Sequence, residues 1–390
     1  MITSTSSNAQ DIQSLGKLHF NSDGILFAGD NVSGAVLAFN FTSEITPSET
    51  FEINIYNVDA QVAAILGTLQ DQIQINDIAV HPTSREVFIS VTRGHGDNAL
   101  PALLKVDAEN NIHTIDLSKV EFTSQSLLSV PHSSHKLALR GSMGSPPTKK
   151  DIAKSKQSLR ILTVVDMEFY KGELIVAGLS NEDFNSVLRR LPYPFEGEES
   201  ISSVEMYHIA HDQYESRAPI RSMVIKNING RDQLVAAYTC SPLVLIPLED
   251  ITHNTKVKAR TIGDMGNGQP IDIVPFKLEG EEMLFVTNNS RSPRVIPVKG
   301  LHNAKVVSKE DFERGPKLDL GPIIPYGPMG QSIMFTGASL RIDLLNDHQF
   351  VSLNRDIETG SLDLVTFNTK MPFKMHNIVG EFDIPTPSSN

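Results

Sequence analysis

Four aspartates recur at the start of a repeated strand: Asp77, Asp166, Asp272 and Asp343. Carboxylates that return at equivalent points of a repeat can gather into an oxygen cage, which a hard cation such as Ca²⁺ needs for its roughly six to eight oxygen ligands. The same aspartates can instead accept hydrogen bonds from the backbone amides of a neighbouring unit, since buried polar groups need partners in either case. Asn31, Arg93, Asn181, Cys240, Asn289 and Arg355 fall at or beside the ends of the second strands, with Arg291 close by and Arg221 at a first-strand start. Together they make a polar rim suited to a small molecule or a protein partner, an anionic one included.

Three further groups have chemical potential. His95, in Arg93-Gly-His-Gly-Asp97, is held between a cation and a carboxylate and could serve as a general base, or simply as a loop histidine. His208 and His211 form His-x-x-His, followed by Asp212 and Glu215. These are transition-metal ligand types, but the spacing converges only if the segment leaves strand geometry, and the helical His-Glu-x-x-His of zinc hydrolases is missing. Cys240 has no base at a recognisable spacing, so a buried small residue suits it better than a nucleophile. The chain has no Gly-rich phosphate loop opening a helix, no Gly-x-Ser-x-Gly and no Cys-x-x-Cys, which argues against nucleotide, serine-hydrolase and cluster chemistry.

The elements that carry these residues repeat. Ile75-Asn-Asp-Ile-Ala-Val80, a polar turn and Val87-Phe-Ile-Ser-Val91 return as Val164-Val-Asp-Met-Glu-Phe169, Lys171-Gly172 and Leu174-Ile-Val-Ala-Gly178. A repeat made only of strands points to radial β-architecture. The expectation is one all-β domain over 11–385, a single β-propeller of four-stranded antiparallel blades, with short flexible ends at 1–10 and 386–390. Blades are placed at 17–56, 75–117, 164–208, 220–262, 271–308 and 340–382. Six blades are favoured, and seven remain open because long connections at 57–74, 118–163 and 309–339 could hide a partial one. The first connection contains Val58-Asp-Ala-Gln-Val-Ala-Ala-Ile-Leu66, which reads as two helical turns.

Leu18-His-Phe-Asn-Ser-Asp-Gly-Ile-Leu-Phe-Ala-Gly-Asp30 and Asn76-Asp-Ile-Ala-Val-His-Pro82 resemble the repeats of NHL-type and SMP-30/gluconolactonase-like propellers. That resemblance implies a short inner strand, an Asp-Gly turn and an apolar second strand in each blade. The calcium-dependent lactonases of the second group carry an early Glu-x-Pro-x-Trp element and a Pro-Asn-Gly segment. This chain has neither, so their metal and catalytic residues have no counterpart positions here. Trp is absent altogether, which removes the Trp-Asp signature of WD-repeat blades.

Composition sets the remaining bounds. A net charge of -12 over 390 residues argues against general nucleic-acid binding, which needs a basic footprint. No apolar run is long enough to span a bilayer. The polar, Ser/Thr-rich start lacks a signal peptide and favours an exported protein with its leader removed over a cytoplasmic one. A single cysteine excludes an internal disulfide. One stretch breaks the acidic trend: Lys136, Arg140, Lys149, Lys150, Lys154, Lys156 and Arg160 face only Asp151 between positions 136 and 160. All three long connections are expected on the face where first strands begin, so this basic flap would border the channel mouth and could steer an anion there. The leading reading is a propeller that binds a ligand or protein partner at that mouth; the alternative is a metal-dependent hydrolase or lyase, of the Ca type, in the same place.

Overall fold

The computed structural model describes residues 12–41, 51–137, 157–182, 185–266, 268–289, 292–310, 327, 331–332, 338–356 and 359–370. They form an all-β, propeller-like ring of sheets. Sheet I holds Leu18–Phe20, Ile25–Asp30, Ala35–Asn40 and Phe122–Ser126; sheet II holds Ile73–Val80, Val87–Arg93, Leu100–Val106 and Ile112–Ile115. Sheet III is a nine-stranded sheet built from two four-stranded meanders and the short strand Gln213–Glu215. The first meander is Asp166–Tyr170, Glu173–Leu179, Ser186–Pro192 and Ser200–His208; the second is Ile220–Ile228, Arg231–Tyr238, Pro242–Pro247 and Lys256–Asp264. Their outer strands join through a parallel pairing of Ser203 with Lys256 through Met206 with Ala259. Sheet IV holds Pro270–Leu278, Glu281–Asn288, Arg294–Pro297 and Gln331–Ser332, and sheet V holds Ala338–Asn346, Gln349–Arg355, Leu362–Asn368 and Asn54–Ile55.

The second strands are apolar on both faces because each sheet is sandwiched between two others. Leu26 and Ala28 of sheet I meet Phe88 and Leu103 of sheet II, while Phe27 and Val36, pointing the other way, meet Met167 and Val176 of sheet III. The series continues through the two halves of sheet III, to sheet IV, to sheet V and from sheet V back to sheet II. Each of these six clusters is thus an interface between angular neighbours. Each fully buried Leu or Phe contributes about 1.5–3 kcal/mol, so the ring is held by apolar burial all the way round. Close approach at its inner edge requires glycine: a Cβ on Gly178 would lie 1.9 Å from the carbonyl oxygen of Thr163.

Three outer strands differ from the expected layout. The segment expected to finish the first blade, 51–56, instead pairs with sheet V, Ile55 opposite Leu364. Sheet I is completed by Phe122–Ser126, from within the second long connection, with Val36 opposite Gln125. Sheet II therefore lies between sheets V and I, and the chain visits the closing sheet before it returns to finish the opening one. The fourth strand of sheet IV is Gln331–Ser332, opposite Arg294 and Val295, whereas 305–308 form no strand. In each case a two- to five-residue strand has an alternating pattern that does not name its partner. The expected helix in the first connection is present as Val58–Ile65. The expected outer strand at 376–382 lies outside the described residues.

Candidate functional site

The first strands stand side by side around a central channel, in the order of sheets I, III, IV, V, II and back to I. A ring of side chain to backbone hydrogen bonds links them. Asp77 Oδ2 accepts from the N–H of Leu18 (2.8 Å), and His19 Nε2 accepts from that of Phe169 (3.2 Å). Asp166 Oδ2 accepts from Met223 (2.7 Å) and Ser222 Oγ from Ile273 (2.9 Å). Asp272 Oδ2 accepts from Ile342 (3.1 Å), and Asp343 Oδ2 closes the circuit by accepting from Val80 (2.8 Å). Each first strand thereby supplies one acceptor to the next, which satisfies amides that no ladder partner reaches. His19 must be neutral to accept at Nε2; burial, then the charge of Lys17, push its pKa down to about 4.

Three of the aspartates share a cation that belongs to the protein. The Lys17 ammonium lies 2.8 Å from Asp272 Oδ1, 3.4 Å from Asp166 Oδ1 and 3.5 Å from Asp77 Oδ2. Arg341 adds contacts of 3.2 Å to Asp272 and 3.4 Å to Asp77, and its Nε donates to the Asn76 carbonyl at 2.9 Å. Burial alone would drive the Lys17 pKa down, but Asp166, Asp272 and Asp77 more than reverse this and hold it above its ordinary value. Burial pushes Asp166 up, while at Asp272 the effect of burial is outweighed by Lys17 and Arg341 and the pKa falls. Asp343 stands apart: burial raises it to about 6 despite N–H donors from Val80 and Leu344. Lys17 was legible as a signal, because it opens the first strand of the first repeat where later repeats place Asp; sequence reasoning passed over both it and Arg341.

Lys17 lines two cavities. One, of about 350 Å³, opens on the face of the first-to-second strand turns and holds His19, Asp166, Glu168, Asp272 and Asp343. Glu168 lines this opening, and burial, then the nearby Asp166, push its pKa well above the ordinary carboxylate range. The folded pKa lies above the unfolded one, so the stability linked to this proton is present at low pH and is lost as pH rises through the folded value. Glu168→Gln should therefore stabilise the protein at pH 8 and give no gain near pH 4. Urea midpoints at the two pH values check this; an equal gain at both would disconnect it from ionisation.

The larger cavity, about 670 Å³, is at the mouth where first strands begin. Four cationic side chains line it, Lys17, Arg221, Arg341 and Arg355, and among the described residues no Asp or Glu does. Asn31, Asn76, Asn289, Gln74 and Gln269 supply amides, and Gln157, Ile161 and Leu162 bring the end of the second long connection to its edge. The rest of the basic flap, 138–156, lies outside the described residues, as does Arg291.

Of the residues expected at the mouth, most are committed to structure. Asn31 bridges backbone, accepting from Val164 N–H at 2.8 Å and donating to Ile161 O at 3.0 Å. Asn289 accepts from the Gln269 N–H at 2.9 Å, and Arg355 donates to Gly360 O at 2.6 Å. Arg93 lies outside the cavity and donates to Leu66 O at 3.0 Å, tying down the loop after the helix. His95 is exposed against the Asp71 carbonyl at 2.8 Å. Asn181 is exposed, its N–H donating to Ser129 O at 2.8 Å. Cys240 sits half-buried in a tight turn with φ 65°. These last four do not line the cavity. Arg221 does, and among the described residues it has no ion-pair partner; its buried Nε has no hydrogen-bond acceptor. Burial, then the charge of Arg341, lower its pKa.

No family model and no curated protein matches this chain. Among solved structures it is similar to a GH43 glycoside hydrolase engineered to display endo-xylanase and exo-arabinofuranosidase activity, at 11% identity over 76% of this chain and 50% of that one, TM-score 0.32. It is similar also to the plexin A4 extracellular region, at 7% identity over 94% and 40%, TM-score 0.39. A protein of unknown function from Dyadobacter fermentans DSM 18053 matches at 9% identity over 83% and 95%, TM-score 0.35. The chain spans half or less of the length of the first two. At these values the chemistry of the site rests on its own residues.

Proposed function

We propose that this protein is a six-bladed propeller that binds a small anionic ligand, a carboxylate or phosphate, in the mouth cavity. The observation that carries the reading is Arg221, a half-buried guanidinium whose Nε has no acceptor and whose nearest opposite charges, Asp166 and Asp272, lie beyond ion-pair distance, in a cavity lined by cations and amides and by no described carboxylate. An unpaired buried cation is costly, and an oxyanion that accepts from it in bidentate fashion recovers that cost. The cavity volume of about 670 Å³ falls in the range of roughly 300–1,000 Å³ usual for ligand pockets. Arg355, exposed at the rim, would attract the anion before it docks.

The Asp77, Asp166, Asp272 and Asp343 set is better read as architecture than as a metal cage. A Ca²⁺ ion there would have to displace Lys17 from three carboxylates that also accept backbone amides of neighbouring strands. His95, away from the cavity, has no part in this reading.

The test is a titration of citrate, inorganic phosphate and a sugar phosphate, followed by thermal unfolding and calorimetry at low salt. At least one should raise the midpoint with saturable binding. Arg221→Ala should weaken that binding at least about tenfold, the worth of one charge-assisted hydrogen bond, without changing the ligand-free midpoint by much. Binding that is indifferent to Arg221→Ala, or no saturable response to any of the three, would overturn the assignment.

A further inference from the structure

A second constellation lies outside the mouth cavity, at the rim of sheet III. The strand Ser200–His208 runs into a 3-10 turn, Ile209–His211, and Asp212 reverses the chain with a φ of 48°. The chain then returns as Gln213–Glu215, antiparallel to the strand it has just left, with His208 opposite Gln213 and Met206 opposite Glu215. The segment thus departs from strand geometry where His-x-x-His requires it to, and the turn folds His211 back over His208. The two imidazole centroids are 4.0 Å apart. Tyr207 braces the turn by donating its hydroxyl to Asp212 Oδ1 at 2.8 Å.

Glu215 completes the group. Its Oε2 lies 2.8 Å from His208 Nδ1 and its Oε1 2.6 Å from His211 Nδ1. Ligating atoms from His208, His211 and Glu215 all fall within 4.8 Å of one another. His208 is 1% exposed, and its Nε2 has no hydrogen-bond partner. One buried and one exposed imidazole thus converge on a single carboxylate, and the buried ring keeps a nitrogen unsatisfied, an expensive arrangement for a peripheral hairpin to hold without a further partner.

We propose that His208, His211 and Glu215 bind a divalent transition-metal ion of the Zn²⁺ type. Two imidazoles and a carboxylate are borderline donors, which suit zinc and its neighbours better than the all-oxygen cations Ca²⁺ and Mg²⁺. Three protein ligands leave one position of a tetrahedral ion for water or an exogenous group, and His211, 36% exposed, keeps that side open to solvent. Bonds of about 2.0–2.1 Å to nitrogen and oxygen need the imidazole and carboxylate groups to part only slightly from their present hydrogen-bonded distances.

The experiment uses the full chain, freed of metal with chelator and then dialysed. Zn²⁺ titrated by calorimetry should bind with one ion per chain, and Co²⁺ at the same site should give the intense visible absorption of a tetrahedral complex. His211→Ala, at a partly exposed position that the fold tolerates, should weaken Zn²⁺ at least about 100-fold, and Glu215→Gln by at least about tenfold. His132→Ala should leave affinity unchanged, although His132 stands 5.8 Å from His135 in a similar pair. Failure of wild type to bind stoichiometric Zn²⁺ or Co²⁺ would overturn the proposal and leave Glu215 as a hydrogen-bonding clasp. Undiminished affinity in His211→Ala would also overturn it, by placing the ion elsewhere.

Discussion

Lys17→Met is expected to lower the unfolding free energy by about 3–5 kcal/mol at pH 8, the penalty for removing one partner of a buried ion pair. The ammonium stands within 3.5 Å of three carboxylates, and methionine fills its volume without its charge. Asp77, Asp166 and Asp272 cannot turn away to solvent, because each also accepts a backbone amide from the next first strand. With Arg341 as their remaining close counter-charge, they repel one another and their folded pKa values rise above the unfolded value near 4. A raised carboxylate pKa gives stability that is present below the unfolded pKa and is lost as pH rises through the folded one. The variant should therefore fall furthest behind wild type at pH 8 and recover much of the difference near pH 4.5. Urea midpoints across that interval measure it. Adding Asp272→Asn to Lys17→Met should return part of the lost stability at pH 8, since it removes one of the stranded charges. A pH-independent loss below about 1 kcal/mol would class the cluster with solvated surface pairs and sink the idea that the channel is closed electrostatically.

The aspartate ring was readable in the amino-acid sequence because position within a repeat encodes position around an axis. Asp77, Asp166, Asp272 and Asp343 each accept an amide of the neighbouring first strand, one of the two roles their chemistry allowed, but none lines the mouth where the repeat was expected to place them. The occupant of the ring was harder to read, since Lys17 breaks the repeat rather than following it. Partners of the short outer strands were not legible at all. Asn54–Ile55 and Phe122–Ser126 have ordinary strand alternation, and nothing local distinguishes pairing with the preceding sheet from pairing with one that the chain reaches 300 residues later. The mouth residues show a different limit: Asn31, Arg93 and Asn289 have the right types for ligand binding, but nearby backbone groups already claim them. Arg221 differs from these only in what surrounds it, which no local pattern records. For His208 and His211 the deciding feature was the left-handed Asp212, a conformation that Asp adopts more readily than most residues but that the sequence does not require.

The permuted order of the sheets sets the second large effect. Sheet I is finished by Phe122–Ser126, and 127–131 begin the connection that reaches sheet III at Asp166. A buried pair fastens that crossing. Arg189, fully buried on the strand Ser186–Pro192, lies 3.0 Å from Glu199 Oε1, itself 1% exposed. Arg189 also donates to the carbonyls of Leu128 (3.1 Å) and Leu179 (3.3 Å), while Glu199 Oε2 accepts the Leu128 N–H at 2.7 Å. Both partners of Leu128 therefore depend on one ion pair. Burial pushes the Glu199 pKa up and the Arg189 pKa down, so each charge is tolerated only because of the other. Glu199→Ala should cost about 3–5 kcal/mol, because it leaves a guanidinium buried without its counter-ion. Replacing the pair together, Arg189→Met with Glu199→Leu, should cost much less, since two apolar side chains of similar volume carry no charge to strand. The single variant should also expose the amides of Phe122–Ser126 to rapid hydrogen exchange while those of Ile73–Val80 stay protected, because the outer strand of sheet I loses its fastening before the ring opens. If the double variant proves as unstable as Glu199→Ala, the pair acts through packing alone, and the crossing is held by Leu127 and Val130 against the sheet I and sheet III core.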